Sequence, residues 1–153
     1  GIKFSNLYPN PLHPSLPYSN GVLRDFAIME DSNAVTALKS WVDENGPGGG
    51  TEYQLDILMF AKDMMPGAYP GLYIALATDE DSDSEDASYH NPPLLRDPVA
   101  FDLTQAGCIV FIDPASTSLV SYYQPLAVNG GAVEQGSLGA FTFPLMRQAI
   151  LGQ

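Results

Sequence analysis

Apolar residues recur along this chain with changing period, and the period marks out the elements. Val22 to Met29 reads as a strand. Ala34, Val35, Leu38, Trp41 and Val42 then repeat at helical spacing, giving one apolar stripe behind a possible Asp31 or Ser32 cap. Asn45-Gly46-Pro47 ends that helix, which spans about 33–45. Trp41 is expected to anchor a core from this stripe.

After Gly48-Gly49-Gly50 the period falls towards two. Tyr53, Leu55, Ile57, Met59 and Ala61 share one side, opposite Glu52, Gln54, Asp56 and Lys62 with Leu58 and Phe60. Leu72, Ile74 and Leu76 alternate with Tyr73, Ala75 and Ala77 beyond a Pro66-Gly67 turn, so the two segments read as an antiparallel hairpin or meander. Residues 78–98 lack a period. Val99 to Leu103 reads as a short strand, and Gly107 to Asp113 is an apolar run suited to a strand buried on both faces. Ser118 to Gln124 and Leu138 to Phe143 read as further strands, with a turn at Asn129-Gly130-Gly131 and a short closing helix from Leu145 to Leu151.

The first twenty residues differ from all of this. Pro9, Pro11, Pro14 and Pro17 exclude a helix and disfavour a central strand, leaving an extended, polyproline-like arm. Tyr8, Leu12, Leu16 and Tyr18 make the arm too apolar for a solvated linker, so these four are the candidate partner-binding residues. The expected organisation is an arm over 1–20 and one β-rich domain over 21–153. Its fold class is mainly β: an antiparallel β-sandwich or partial barrel of six to seven strands with one amphipathic helix.

Composition narrows the function. The chain has 153 residues, the size of one ordinary domain, and a 45% hydrophobic share that excludes a wholly disordered chain. Eighteen acidic residues against six basic ones give a net charge of −12. The basic residues Lys3, Arg24, Lys39, Lys62, Arg96 and Arg147 are scattered, which argues against binding nucleic acid or an anionic membrane. There is no apolar run of about 18 residues to span a bilayer. The single Cys108 excludes an internal disulfide. A soluble protein follows, with cytoplasmic or virion-associated placement favoured and a secreted one compatible.

Residues 79–86 hold six of the eighteen carboxylates and no basic residue. Asp79, Asp81, Asp83 and Glu85 have the alternate spacing by which short loops supply oxygen ligands to Ca²⁺, making this the candidate cation site. The match to an EF-hand loop fails at Ser84 and His90, where glycine and glutamate are required. A solvated charged loop is the competing expectation. The two histidines, His13 and His90, are far apart in sequence and form no zinc motif. Gly136-Ser137-Leu138-Gly139 falls one residue short of a nucleophile elbow, and Cys108 reads as an inert core thiol. Asp56 and Asp113 are carboxylates without an assigned role, and Tyr53, Tyr69, Tyr73, Tyr122 and Tyr123 could furnish an aromatic face.

These features favour a non-enzymatic structural or assembly module, for example a virion head or tail protein, that self-associates through its arm into a homo-oligomer or larger assembly. A small β-sandwich that binds carbohydrate or a divalent cation is the alternative. An enzyme with a dispersed active site is the third reading.

Overall fold

In the computed structural model, the residues described are 8–10, 13–18, 52–64 and 72–136. The chain separates into two compact units, Gly1–Tyr53 and Gln54–Gln153. The strand expected at 22–29, the helix at 33–45 with Trp41, Tyr69, the strand at 138–143 and the closing helix lie outside the described residues.

In the first unit the proline-rich segment is extended and folds back on itself. Strand β1 (Tyr8–Asn10) pairs antiparallel with β2 (His13–Tyr18), placing Tyr8 opposite Tyr18 and Pro9 opposite Pro17, with an irregularity between Pro9 and Asn10. Proline supplies no ladder N–H, which suits this short ribbon better than a sheet interior. Leu16 belongs to β2, whereas Leu12 lies outside the described residues.

The second unit corrects the expected antiparallel sandwich. Its elements are α1 (Gln54–Met64), β3 (Leu72–Thr78), a 3-10 turn (Asp83–Glu85), α2 (Arg96–Gln105), β4 (Cys108–Pro114), α3 (Thr117–Tyr123), a second 3-10 turn (Gln124–Leu126) and β5 (Ala132–Val133). Among the described residues of this unit there are three helices and one parallel sheet, ordered β3-β4-β5. Leu72 pairs with Cys108 and Thr78 with Pro114, while Phe111 and Ile112 pair with Ala132 and Val133. Parallel strands need long crossovers; α2 lies in the first and α3 in the second.

Three segments expected as strands are helices, for separable reasons. Residues 54–64 do alternate, but Gln, Leu, Met, Ala and Lys are strong helix formers, and Leu55 and Leu58 bury completely at helical spacing. Val99 and Leu103 are four residues apart and both bury on one side of α2, with Pro98 tolerated in the first turn. The 118–124 segment follows Ser116, which occupies the extended N-cap position of α3, and Tyr123 is the buried residue of that helix.

The two strand expectations that rested on the clearest patterns hold. β4 is buried along almost its whole length, including Cys108, and it is the central strand. On β3, Ile74, Leu76 and Thr78 are buried while Ala75 and Ala77 are exposed. The turn at Asn129-Gly130 is present, with both residues at positive φ (54° and 91°), but it leads into a strand parallel to β4 and closes no hairpin. At Gly131 the chain passes so close to β4 that a Cβ would overlap the Val110 carbonyl. No helix among the described residues is long and apolar enough to cross a membrane.

Candidate functional site

Open parallel sheets gather ligand-binding chemistry beyond the carboxyl ends of their strands. Here β3 and β4 end together at Thr78 and Pro114, and the acidic segment 79–86 leaves from that edge. Its course is fixed by buried polar groups. Gln54 donates to the Thr78 hydroxyl at 3.0 Å, and the hydroxyls of Thr78 and Tyr123 both donate to the Glu80 carbonyl, at 3.1 and 2.6 Å.

The buried pair Ser82 and Ser84 then folds the chain into its 3-10 turn. Ser82 Oγ accepts the Leu55 amide from the start of α1 at 3.2 Å and the Ser84 amide at 3.3 Å, and the Ser82 hydroxyl donates to Ser84 Oγ at 3.0 Å. In turn the Ser84 hydroxyl donates to Asp56 Oδ2 at 2.5 Å. The other oxygen of Asp56 lies 2.9 Å from His90 Nε2, and His90 Nδ1 faces the Pro92 carbonyl at 2.5 Å. One carboxylate on α1 therefore ties together the acidic turn and the segment leading to α2.

A second network holds Glu85. The Tyr122 hydroxyl donates to Glu85 Oε2 at 2.7 Å and accepts the Ser82 amide at 3.1 Å. Arg96 donates to Glu85 from its backbone amide at 3.2 Å and from Nε at 3.1 Å; its Nη1 reaches the Tyr122 carbonyl at 2.8 Å. The guanidinium also stacks 4.1 Å from the Tyr122 ring centroid. Burial opposes charge on Glu85, but the hydrogen bonds from Tyr122 and Arg96 and the guanidinium charge outweigh it and lower its pKa. Burial, reinforced by the Glu85 carboxylate, pushes the Tyr122 hydroxyl far above its ordinary value. Glu80 is raised, first by burial and then by the charges of Asp83, Asp79 and Asp81.

The carboxylates named from sequence are thus treated unequally. Asp79 and Asp81 are exposed, Asp83 is half-buried at the start of the 3-10 turn, and Glu85 is engaged by Tyr122 and Arg96. Among the described residues, no group of three or more histidine, cysteine or acidic side chains comes together as a metal-holding cluster. The segment is also no free solvated loop, because Ser82 and Ser84 are buried within it. An open hollow of about 450 Å³ lies over it, lined by Asp81, Ser82, Asp83, Glu85, Asp86 and Ala87.

Other sequence candidates fall in the core. Cys108 is completely buried, and burial raises its thiol pKa against the opposing charge of Lys62. Asp113, buried near the end of β4, accepts the Gly136 amide at 2.9 Å. Tyr123 is completely buried, so of the adjacent tyrosine pair only Tyr122 is partly accessible. His13 belongs to the first unit and His90 to the second.

Sequence spacing did not reveal the Asp56–Ser84–His90 set, whose members are 28 and 34 residues from Asp56. The available signal was the reading of both Asp56 and His90 as unassigned polar groups. Their order limits the chemistry. A serine nucleophile passes its proton directly to imidazole, whereas here a carboxylate stands between Ser84 and His90. The set is a tie between elements.

Fold and site together define an α/β protein whose parallel strands end at a braced acidic segment. The chain matches no known protein family, no curated protein and no solved structure.

Proposed function

We propose that this protein is a non-enzymatic binding module that assembles with a protein partner through the acidic edge of its parallel sheet, and that the partner surface is basic. The observation carrying this reading is the division of labour within 79–86. Ser82, Ser84 and Glu85 brace the segment from within, and Asp79, Asp81 and Asp86 remain exposed on that frame. Charges held on a fixed backbone lose little entropy when a partner docks, and complementary charge steers encounter. The open surface over the segment leaves these carboxylates accessible to lysine or arginine side chains.

Binding of a labelled Lys/Ser dodecapeptide tests this by fluorescence anisotropy. Affinity should fall steeply as salt rises from about 50 to about 500 mM, because screening shortens the reach of surface charge. It should also fall when Asp79, Asp81 and Asp86 are changed together to Asn. Absence of binding at low salt, or indifference to the triple change, overturns the reading.

Self-association through the arm is a second reading, favoured by the pairing of β1 with β2. A two-stranded ribbon is marginal alone, and among the described residues no further strand pairs with it. Copies carrying −12 each repel at their acidic segments, so contact between copies falls to the arm. Sedimentation of the full chain and of a chain lacking 1–20 tests it: a concentration-dependent oligomer should form only with the arm. A monomer at every concentration removes this reading.

A further inference from the structure

His90 meets an acceptor at each of its ring nitrogens. Nε2 lies 2.9 Å from Asp56 Oδ1, and Nδ1 lies 2.5 Å from the Pro92 carbonyl. A peptide carbonyl only accepts, so Nδ1 carries a hydrogen. An ionised carboxylate also only accepts, so Nε2 must then carry a second, whereas a neutral imidazole has one N–H to give. The arrangement therefore needs one proton between Nε2 and Oδ1, whether it is written on the ring or on the carboxyl. Both side chains are largely withdrawn from water, His90 being 18% and Asp56 13% exposed, so solvent is poorly placed to replace a lost partner.

The ring sits where three segments meet. Asp56 belongs to α1, and its other oxygen accepts the Ser84 hydroxyl of the 3-10 turn. Pro92 belongs to the approach to α2, where the Leu94 amide donates to the Ser84 carbonyl at 2.7 Å. The His90 amide donates to the Asp86 carbonyl at 2.8 Å and closes the loop behind the ring. Asp56 meets the imidazole directly. The other charged groups on the elements packed here are Asp83 and Glu85 of the 3-10 turn, Asp86 at its end, and Arg96 at the start of α2, which pairs with Glu85.

We propose that His90 and Asp56 form a proton-dependent clasp that fastens the approach to α2 onto the acidic segment. With the proton in place, both ring contacts are made. When it leaves, the remaining N–H stays with the carboxylate, the stronger acceptor, and a bare Nδ1 lone pair faces the Pro92 carbonyl. Two acceptors in contact repel, so Pro92 draws away and the bond from Leu94 to Ser84 loosens with it. Imidazole is the side chain whose charge ordinarily changes between about pH 5 and 8. The clasp is closed on the acid side of that interval and opens as pH rises through it. It governs how firmly the acidic segment is held, and it stands whether or not a basic partner docks there.

Amide exchange of the full chain, followed by NMR from about pH 5.5 to about 8.5 and corrected for intrinsic rates, tests the clasp. The Leu94 amide should lose about fivefold in protection as pH rises, the factor that one hydrogen bond supplies, with the midpoint of the His90 ring resonances. The central-strand amides of Val110 to Ile112 should not share that step. Asp56→Asn discriminates most sharply. Its oxygen still accepts from Ser84, and its amide nitrogen donates to Nε2 of a neutral ring, so Leu94 should stay protected at every pH. His90→Gln removes the ring and should hold Leu94 at one low value throughout. The clasp is overturned if Leu94 protection is flat in the parent chain, if the step survives in His90→Gln, or if Asp56→Asn titrates like the parent.

Discussion

Asp56 stands between Ser84 and His90, accepting the serine hydroxyl on Oδ2 at 2.5 Å and facing the imidazole Nε2 with Oδ1 at 2.9 Å. The aspartate comes from α1, the serine from the acidic turn and the histidine from the approach to α2. A contact that joins three segments acts on stability through all of them. Removing it leaves the buried Ser84 hydroxyl without its acceptor, and an unmet buried donor costs about 1–3 kcal/mol. We expect Asp56→Ala to lower stability by about that amount in urea denaturation. Asp56→Asn, which keeps an acceptor for Ser84, should lose less. Equal losses for the two variants would show that the Ser84 contact carries none of the effect.

Tyr122→Phe removes a donor to Glu85 and the acceptor of the Ser82 amide together. Ring packing is retained, so the loss should be about 1–3 kcal/mol and come from the hydrogen bonds. Hydrogen exchange provides the local check. The Ser82 amide should lose protection in this variant, while the central-strand amides of Val110 to Ile112 keep theirs apart from the global change.

Two glutamates should give opposite pH responses. Glu85 is lowered in the folded protein, so its contribution is complete above the unfolded-state value near 4.5 and is lost as pH falls through the folded value below that. Glu85→Gln should therefore flatten the acid limb of the stability curve. Glu80 is raised in the folded protein. Its ionised form is disfavoured there, so folding is penalised increasingly as pH rises above about 4.5, and fully once pH exceeds the raised value. Glu80→Gln should stabilise the protein at pH 7, with the gain fading as pH falls to about 4.5. Thermal unfolding across pH 3–8 reads both effects, and a shared sign would contradict the environments described for these groups.

The close passage of β5 over β4 gives a steric expectation. A Cβ at Gly131 would overlap the Val110 carbonyl, which is main chain in the central strand and has little room to move. Gly131→Ala should cost about 1–3 kcal/mol by overpacking, or more if β5 detaches. Gly130 has open space around it but a φ of 91°, so Gly130→Ala should destabilise through backbone strain. Unfolding of both variants, with exchange at the Val133 amide, separates a displaced strand from a strained turn.

Legibility in the sequence followed the uniqueness of each pattern. β4 was readable because a run from Cys108 to Ile112 that buries both faces has few alternatives in a short segment. Asn129-Gly130 was readable because positive φ selects those residue types. The helices were not, because Leu55, Ile57 and Met59 keep a period of two in the same segment where the buried pair Leu55 and Leu58 keeps helical spacing, and in 96–105 only Val99 and Leu103 mark the buried side while Phe101 falls off it. Reading the three helices as strands removed the crossovers, and with them the parallel sheet. The site was legible as composition alone: the acidic run was visible, but its bracing depends on Asp56, Tyr122 and Arg96, which only the fold brings near it.

Charge at the acidic edge can be separated from the bracing that holds it. Asp79 and Asp81 are exposed, and Asp86 accepts the Ser88 amide at 2.7 Å through an oxygen that asparagine would retain. Changing all three to Asn removes three negative charges from a segment that carries six carboxylates, and leaves Ser82, Ser84, Glu85 and their partners in place. Like-charge repulsion is relieved and Glu80 loses two of the three charges that raise it, so stability should hold or increase by about 0.5 kcal/mol. Affinity for a basic peptide should fall over the same change, together with its salt dependence. A variant that folds as well as the parent and no longer binds assigns the exposed carboxylates to recognition; one that loses stability assigns them to the fold.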